Sequence, residues 1–316
     1  MRHHAAERVL LVACFVTALG TAARGLGGVA PLYLGTLLAG AAIALTQVVT
    51  PSWVRAQNSP GLGVLTGAFS FSLVAGATIA TFVAIPLEHA FGGWEGALAI
   101  WGVVGVVAAA VWIPRAIPAH TPLEAPERDP LWRNRMAWSI AGLMGFQSMA
   151  FFSTITWLPD ILVDDGFSEG FAGTMSGLTQ LVQLVPAFAI PVLAARRRAQ
   201  IDLLSVIVGT ALIGLAGVLL LHDLALVWMV FLGIGQGGAL GLALMLPVLR
   251  GRSPGEVAGM AAMAMGVGYL IAAGGPALVG AVFDATGTWT APIIVLLVMT
   301  VVQWPAALYS VKRNPT

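Results

Sequence analysis

The sequence predicts an all-α, polytopic membrane protein whose ten transmembrane helices form two bundles, one of four helices and one of six. Three observations support this fold class. The first is composition: 58% of the 316 residues are hydrophobic and 9% are charged, against roughly 25% charged in an ordinary soluble domain. The second is a series of ten long apolar segments. The third is an internal repeat that relates later segments to earlier ones.

The apolar segments have the length of membrane-spanning helices. A transmembrane helix needs about 20 mostly apolar residues, whereas strands of a membrane barrel would alternate polar and apolar residues. We expect helices at approximately 9–26, 30–54, 62–86, 94–114, 136–160, 169–194, 203–221, 226–249, 257–283 and 290–310. The first segment also fits a signal peptide, because Arg2 and Arg8 precede a short apolar run, but its place in the repeat favours a retained helix.

A polar segment divides the chain into two unequal parts. Residues 113–135 contain five prolines, four arginines and three acids, which hydrocarbon would not accommodate. The sequence therefore predicts an incomplete N-terminal bundle of four helices at 1–114, a central cytoplasmic loop at 115–135, and a C-terminal six-helix bundle at 136–316.

The repeat has a spacing of about 195 residues. Ser59-Pro60-Gly61 corresponds to Ser253-Pro254-Gly255, and Gly93-Trp94 corresponds to Thr288-Trp289. The last four predicted helices then match the first four, whereas the helices at 136–160 and 169–194 have no earlier partner. We interpret this as a six-plus-six design whose first half lacks its first two helices.

Basic residues predict the orientation, because short loops rich in Lys and Arg stay in the cytoplasm. With both termini inside, fourteen of the fifteen basic residues fall on the cytoplasmic side: Arg2, Arg8, Arg55, Arg115, Arg128, Arg133, Arg135, Arg196, Arg197, Arg198, Arg250, Arg252, Lys312 and Arg313. Only Arg24 falls outside. We expect a multi-pass protein of the inner or plasma membrane with cytoplasmic termini.

Several functional classes are disfavoured by the composition. The net charge of +1 gives no reason to expect a nucleic-acid partner, and a single cysteine, Cys14, excludes a disulfide framework. No paired acid and base or metal-spaced histidines occur within a helix, so we expect neither an enzyme, a cofactor nor a metal site. A channel is a further alternative, although the duplication favours alternating access.

Five stretches carry a family resemblance: GTLLAGAAIALTQVVTPSWVRAQ at 35–57, GGWEGALAIW at 92–101, GFQSMAFFSTITWLPDIL at 145–162, LGIGQGGALGLALMLPVLR at 232–250 and GYLIAAGGPALVGAVFDATGTW at 268–289. They resemble the cyanate and nitroimidazole transporter branch of the major facilitator superfamily, over nearly the whole chain from Val9 onward. The resemblance implies a secondary transporter that moves a small solute between two helix bundles. It also implies two further helices at the front and, after them, a gating loop of which at most a remnant around Arg2 and Arg8 is present.

Polar side chains at mid-helix predict the substrate path, because they are costly in a membrane unless they face a partner or a cavity. Ser176, Gln180 and Gln183 form an i, i+4, i+7 stripe on one helix face. Amides both donate and accept hydrogen bonds, which suits a small polar solute. The alternative is that they join helices to one another. The predicted substrate-binding amides and their neighbouring hydroxyl are Gln47, Gln147, Ser148, Gln180, Gln183 and Gln236.

Three further residues are candidates for the same cavity. Trp157 and Tyr269 offer flat walls with a polar edge, although a Trp near a helix end also serves as an interfacial anchor. Arg24 could attract an anion from outside, or extend to the lipid headgroups.

We therefore expect a carrier of a cyanate-like anion or a small heterocycle that works as a monomer in the bilayer. Protons are a candidate coupling ion, although the predicted spans contain no carboxylate or histidine at mid-depth. The alternatives are a truncated, transport-incompetent membrane protein and an efflux carrier of small molecules or drugs from the same superfamily.

Overall fold

The computed structural model describes residues 6–57, 60–117 and 131–312. Within these ranges every regular element is a helix, and the α-helices are α1 (Ala6–Ala23), α2 (Val29–Ala56), α3 (Leu62–Phe91), α4 (Trp94–Ala99), α5 (Trp101–Ala116), α6 (Arg135–Asp164), α7 (Glu169–Ala195), α8 (Ile201–Leu220), α9 (Ala225–Arg250), α10 (Pro254–Thr286) and α11 (Thr290–Val311). Short 3₁₀ helices occupy Arg24–Leu26, Leu131–Arg133 and His222–Leu224. α4 and α5 together form one apolar span, Trp94–Ala116.

The all-helical fold is confirmed, and each of the ten predicted spans corresponds to a helix or, for 94–114, to the α4–α5 pair. The largest differences are at the ends: α3 continues to Phe91 rather than the predicted 86, and α6 continues to Asp164 rather than 160. Nine of these described spans are long and apolar enough to cross a membrane by themselves. α6 does not reach that hydropathy, because it carries Gln147 and several Ser and Thr residues.

Some predictions lie outside the described residues. These are most of the central loop, Ser59 of the repeat, and Arg2, Arg128 and Arg313 of the orientation pattern. The predicted division into 1–114, 115–135 and 136–316 stays a prediction.

Local sequence signals set several helix ends. The Asn134 side chain accepts hydrogen bonds from the backbone amides of Met136 (2.9 Å) and Ala137 (3.4 Å), which caps the start of α6. Beyond the last turn of α6 comes Gly166, whose φ of +93° suits a glycine, with Phe167 N donating to Leu162 O in a Schellman motif.

The helices form two compact units. The first comprises the described residues of Met1–Asn58, Ile79–Arg128 and Arg252–Gly259. In it α1 lies against both α2 and α5. Small residues permit this close approach: a Cβ on Gly20 would lie 2.7 Å from Ala39 N, and one on Gly105 would lie 2.8 Å from the Ala18 side chain.

The second unit comprises the described residues of Ser59–Thr78, Asp129–Gly251 and Met260–Thr316. Its central helix is α9, which packs against α6, α7, α8 and α11. In the most apolar 18-residue segment of α9, 78% of the residues are buried. The part of α10 in this unit packs on α6, where Gly268 lies against Met144 and Gly275 against Met149. The second unit therefore has a core in which polar side chains of several helices can meet.

Candidate functional site

Glycines on α9 allow Gln236 of this helix to come close to the glutamines of α7. A Cβ on Gly237 would lie 2.4 Å from the carbonyl oxygen of Gln183, and one on Gly233 would lie 2.8 Å from that of Thr179. With no side chains between them, the two helices approach closely enough for their amides to meet. Gln183 Nε2 donates a hydrogen bond of 3.4 Å to Gln236 Oε1.

The first cavity in this unit, here called the α7 cavity, is bounded by α6, α7 and α9. Its outline spans about 220 Å³, which includes space open to solvent, and the interior that water can enter has room for about one water molecule. Its walls combine apolar side chains with amides and hydroxyls, and none of them is charged: Phe151, Thr154, Ile155, Leu158, Ser176, Thr179, Gln180, Gln183 and Gln236. The predicted α7 stripe thus faces one cavity.

The hydrogen bonds of the α7 cavity are incompletely satisfied. Ser176 Oγ is buried and has no hydrogen-bond partner among the described residues. Gln180 and Gln183 are 5% and 3% exposed, so their amides are shielded from bulk water. Because buried polar groups are normally paired, the hydroxyl of Ser176 is suited to a polar ligand.

A second cavity, here called the α11 cavity, lies among α6, α8, α9 and α11. Its outline spans about 260 Å³, again including space open to solvent, and its interior has room for about one water molecule. Its polar lining residues are Gln147, Gln236, Thr300 and Gln303. Gln236 therefore lines both cavities.

Gln147 and Ser148 form a local pair on α6. Gln147 Nε2 donates to Ser148 Oγ at 2.6 Å and to Met144 Sδ at 3.3 Å. Ser148 Oγ in turn donates to Met144 Sδ at 3.7 Å. Gln147 faces the α11 cavity, and Ser148 is buried beside it. The structure thus separates the predicted α6 amide from the α7 stripe while keeping Gln236 common to both.

Trp157 and Tyr269 do not line either cavity. Trp157 Nε1 donates to Pro276 O at 2.9 Å, and its ring lies 5.7 Å from that of Trp289. Tyr269 is 37% exposed and packs edge-on against Phe152. The polar edge of Trp157 is therefore used to join α6 to α10.

The two remaining predicted residues belong to the first unit. Gln47 is buried on α2, and Arg24 begins the 3₁₀ helix that follows α1. Arg24 Nε is buried and has no hydrogen-bond partner within the described part of the chain.

Sequence reasoning missed Thr300, Gln303 and Glu7. Thr300 and Gln303 are three residues apart on α11, so the search for mid-helix amides that identified the other glutamines could have found them. Glu7 was placed before the first span, but α1 begins at Ala6 and buries this carboxylate, which accepts a hydrogen bond of 3.2 Å from Trp53 Nε1. No group of three or more His, Cys, Asp or Glu residues in the described ranges could hold a metal ion.

Comparison with known proteins identifies the family. The pattern of the Major Facilitator Superfamily matches residues 2–273. The chain belongs to the Major Facilitator Superfamily. It is accordingly a multi-pass membrane protein that transports small solutes, and it is not an enzyme.

Relatives of this superfamily member align along most of its length. It is 35% identical to the uncharacterized transporter YycB of Bacillus subtilis over 95% of this chain and 76% of that protein. It is 30% identical to the 2-nitroimidazole transporter of Escherichia coli over 96% of this chain and 78% of the relative. The cyanate transport protein CynX of Escherichia coli is 26% identical over 91% and 76% of the two chains.

Solved structures agree on the fold. The superfamily transporter FucP, in its outward conformation, matches with a TM-score of 0.76 at 14% identity, over 100% of this chain and 85% of FucP. The human organic anion transporter MFSD10 matches with a TM-score of 0.71 at 15% identity, over 96% and 77% of the two chains. At these identities the likeness concerns the fold alone.

Proposed function

We propose that this protein is a secondary transporter that moves a small, neutral, polar heterocycle by alternating access, and that the α7 cavity widens from its one-water interior to bind this solute. The observation that carries the proposal is the wall of shielded amides, Gln180, Gln183 and Gln236, beside the unpartnered hydroxyl of Ser176. The 2-nitroimidazole transporter among its relatives supports this class of solute.

The chemistry of the wall favours a neutral solute. Each amide offers both donors and an acceptor, so ring nitrogens and nitro oxygens find partners of either kind. Phe151 adds an aromatic face to the same cavity. An anion would need a compensating charge, which none of the lining residues supplies.

One observation favours an anion as the second candidate. Arg24 Nε is buried without a hydrogen-bond partner in the described residues, and a guanidinium in that state suits a small anion. The cyanate transport protein among the relatives supports this alternative. Gln47, Gln147, Ser148, Trp157 and Tyr269 stay predicted contributors to solute binding.

The membrane setting is part of the proposal. We infer a protein of the inner or plasma membrane that works as a monomer, and we place both termini in the cytoplasm on the basis of the asymmetric arginines. Protons remain our candidate coupling ion, and Glu7 is the buried carboxylate of the described residues.

The experiment is uptake of radiolabelled 2-nitroimidazole into proteoliposomes. We expect Gln183→Leu to reduce initial uptake at low solute concentration by at least about tenfold, because it removes two polar partners from the wall. Gln57→Leu is the matched control, since Gln57 is exposed at the end of α2. Equal uptake by Gln183→Leu and wild type would count against the α7 cavity. Uptake of cyanate alone, abolished by Arg24→Gln, would favour the anion.

A further inference from the structure

The α11 cavity contains an amide whose hydrogen bonds are unmet. Gln303 is 4% exposed, lines the cavity, and forms no hydrogen bond with any described residue. Thr300, one turn before it, donates to Leu296 O at 2.8 Å, which leaves its oxygen free to accept. A buried, unpaired amide of this kind destabilises the folded protein unless something inside the cavity forms a hydrogen bond with it.

Two further groups reach the same cavity with unused hydrogen-bonding capacity. Gln147 spends its amide nitrogen on Ser148 and Met144, and its carbonyl oxygen has no partner in the described chain. Gln236 accepts from Gln183 through Oε1, and its amide nitrogen is likewise without a partner there. Donors and acceptors from α6, α9 and α11 therefore converge on one space.

We propose that the α11 cavity is a resident water site that bridges Gln303, Thr300, Gln147 and Gln236. The cavity has room for about one water molecule and offers the two to four polar partners that a buried water needs. None of its lining residues is charged, so an ion held there would lack a counter-charge. Water both donates and accepts, which matches a lining of amides and one hydroxyl.

The water has a positioning role through Gln236. Gln236 is the lining residue that the two cavities share, and its amide can rotate unless both ends are held. A water on Nε2 keeps Oε1 directed at Gln183, and therefore holds the wall of the α7 cavity in place. Gln303 is thus a positioning residue that acts on the solute through water and Gln236.

At the positions that the internal repeat pairs with Thr300 and Gln303, the first unit has no polar side chains. At the spacing of 195 residues, Thr300 and Gln303 correspond to Gly105 and Ala108. A Cβ on Gly105 would already lie 2.8–3.0 Å from atoms of Ala18. The matching position in the first unit is therefore closed by direct helix packing, whereas the second unit keeps a polar space.

The direct test is a high-resolution structure of the wild-type chain and of Gln303→Met, which keeps the side-chain length but removes the polar atoms. We expect density for water within 2.7–3.2 Å of the Gln303 and Gln236 amides in the wild type and its loss in the variant. Met299→Leu, on the same helix and buried, is the control that should retain the water. A dry wild-type cavity, or density coordinated as a metal cation, would overturn the proposal.

A double-mutant cycle tests the positioning role, and this arm rests on the proposed function. For 2-nitroimidazole uptake, Gln303→Met alone should raise KM roughly tenfold, the effect of about one lost hydrogen bond, with little change in maximal rate. In a Gln236→Met background the same change should have no further effect. Additive losses would refute the coupling through Gln236. Should Gln303→Met fail to fold, Thr300→Val takes its place, with Thr300→Ser as the rescuing variant.

The two proposals fail in different ways. Water density together with unaltered uptake in Gln183→Leu would leave the water site standing and remove the solute from the α7 cavity. A dry α11 cavity with uptake lost in Gln183→Leu would do the reverse.

Discussion

At the scale of single residues, buried polar side chains in this protein fall into two kinds. Most hydroxyls are satisfied within their own helix, as Thr154 Oγ1 is by Ala150 O (2.8 Å) and Thr179 Oγ1 is by Met175 O (3.0 Å). Ser176 Oγ has no such partner in the described residues, and the amide of Gln303, 4% exposed, faces the α11 cavity instead. Polarity alone therefore does not mark the site, whereas an unmet hydrogen bond at a cavity wall does.

Ser176→Ala separates stability from function at this scale. Removing a buried hydroxyl that is already unpaired costs the fold little, so we expect an unchanged or slightly raised thermal midpoint. The KM for 2-nitroimidazole should rise by roughly tenfold, because the hydroxyl would pair with the bound solute. Thermal unfolding and uptake are both measured on the same preparation.

Thr174→Ala is the matched control for Ser176. Thr174 lies on the same helix but is exposed, and its hydroxyl donates to Gly170 O. If Thr174→Ala and Ser176→Ala give the same KM, Ser176 does not contact the solute.

Arg250 has a structural role that its place among the cytoplasmic arginines did not reveal. Its Nε donates to Ser310 O at 2.6 Å, and its guanidinium also donates to Gln200 Oε1. Gln200 precedes α8 and itself donates to Ala194 O of α7 at 3.2 Å. Arg250 and Gln200 together thus connect the ends of α7, α8, α9 and α11.

Arg250→Met should destabilise the protein by about 2–3 kcal/mol, because charge-assisted hydrogen bonds are lost and Gln200 Oε1 is left unpaired. The measurement is thermal unfolding in detergent, and the midpoint temperature is compared with that of the wild type. Arg252→Met removes a neighbouring exposed arginine and is expected to leave the midpoint nearly unchanged. Equal midpoints for the two variants would contradict the role of Arg250.

At the scale of helices, glycine faces decide which elements can touch. The first part of α3 lies on α7 through two glycines one turn apart. A Cβ on Gly67 would lie 2.6 Å from Phe188 O, and one on Gly63 would lie 2.8 Å from the Ala195 side chain. In lipid, where helices gain little from burying apolar surface against each other, such close packing holds them together.

Gly67→Ala should weaken this helix pair by about 1–3 kcal/mol, because the added methyl group meets backbone that cannot move aside easily. Gly76→Ala is the control on the same helix, where a Cβ would meet nothing within 4 Å. Thermal midpoints of the two variants provide the comparison. A larger loss for Gly76→Ala than for Gly67→Ala would show that the α3–α7 contact is not the cause.

At the scale of the whole molecule, the arginine pattern makes a prediction about topology. α7 begins with Glu169, on the expected outer side, and is followed by Arg198, on the expected cytoplasmic side. Both residues are exposed, and the chain has one native cysteine, Cys14, within α1.

In a Cys14→Ala background, Glu169→Cys should react with a membrane-impermeant maleimide in intact cells, whereas Arg198→Cys should react only after permeabilisation. The expected contrast follows from the cytoplasmic retention of basic loops. The reverse labelling would invert the proposed orientation, and labelling of both in intact cells would show that α7 does not cross the membrane.

Much of the fold was predictable because membrane helices are defined by local composition. Each predicted span corresponds to observed helix, since a run of apolar residues in lipid has to satisfy its backbone internally. The α7 stripe was predictable for the same reason, as helical periodicity alone puts Ser176, Gln180 and Gln183 on one face. The burial of Glu7 was missed because helix ends depend on packing and capping as well as hydropathy.

The sequence by itself determined that the chain is a helical membrane protein, where its helices lie, and which of them carry amides, because hydropathy and periodicity are properties of neighbouring residues. The tertiary structure decided that Gln236 stands between two cavities and that Gln303 and Thr300 belong to the second of them. Those relations join residues of different helices, and they depend on how closely α9 packs against its neighbours. No local pattern encodes that distance.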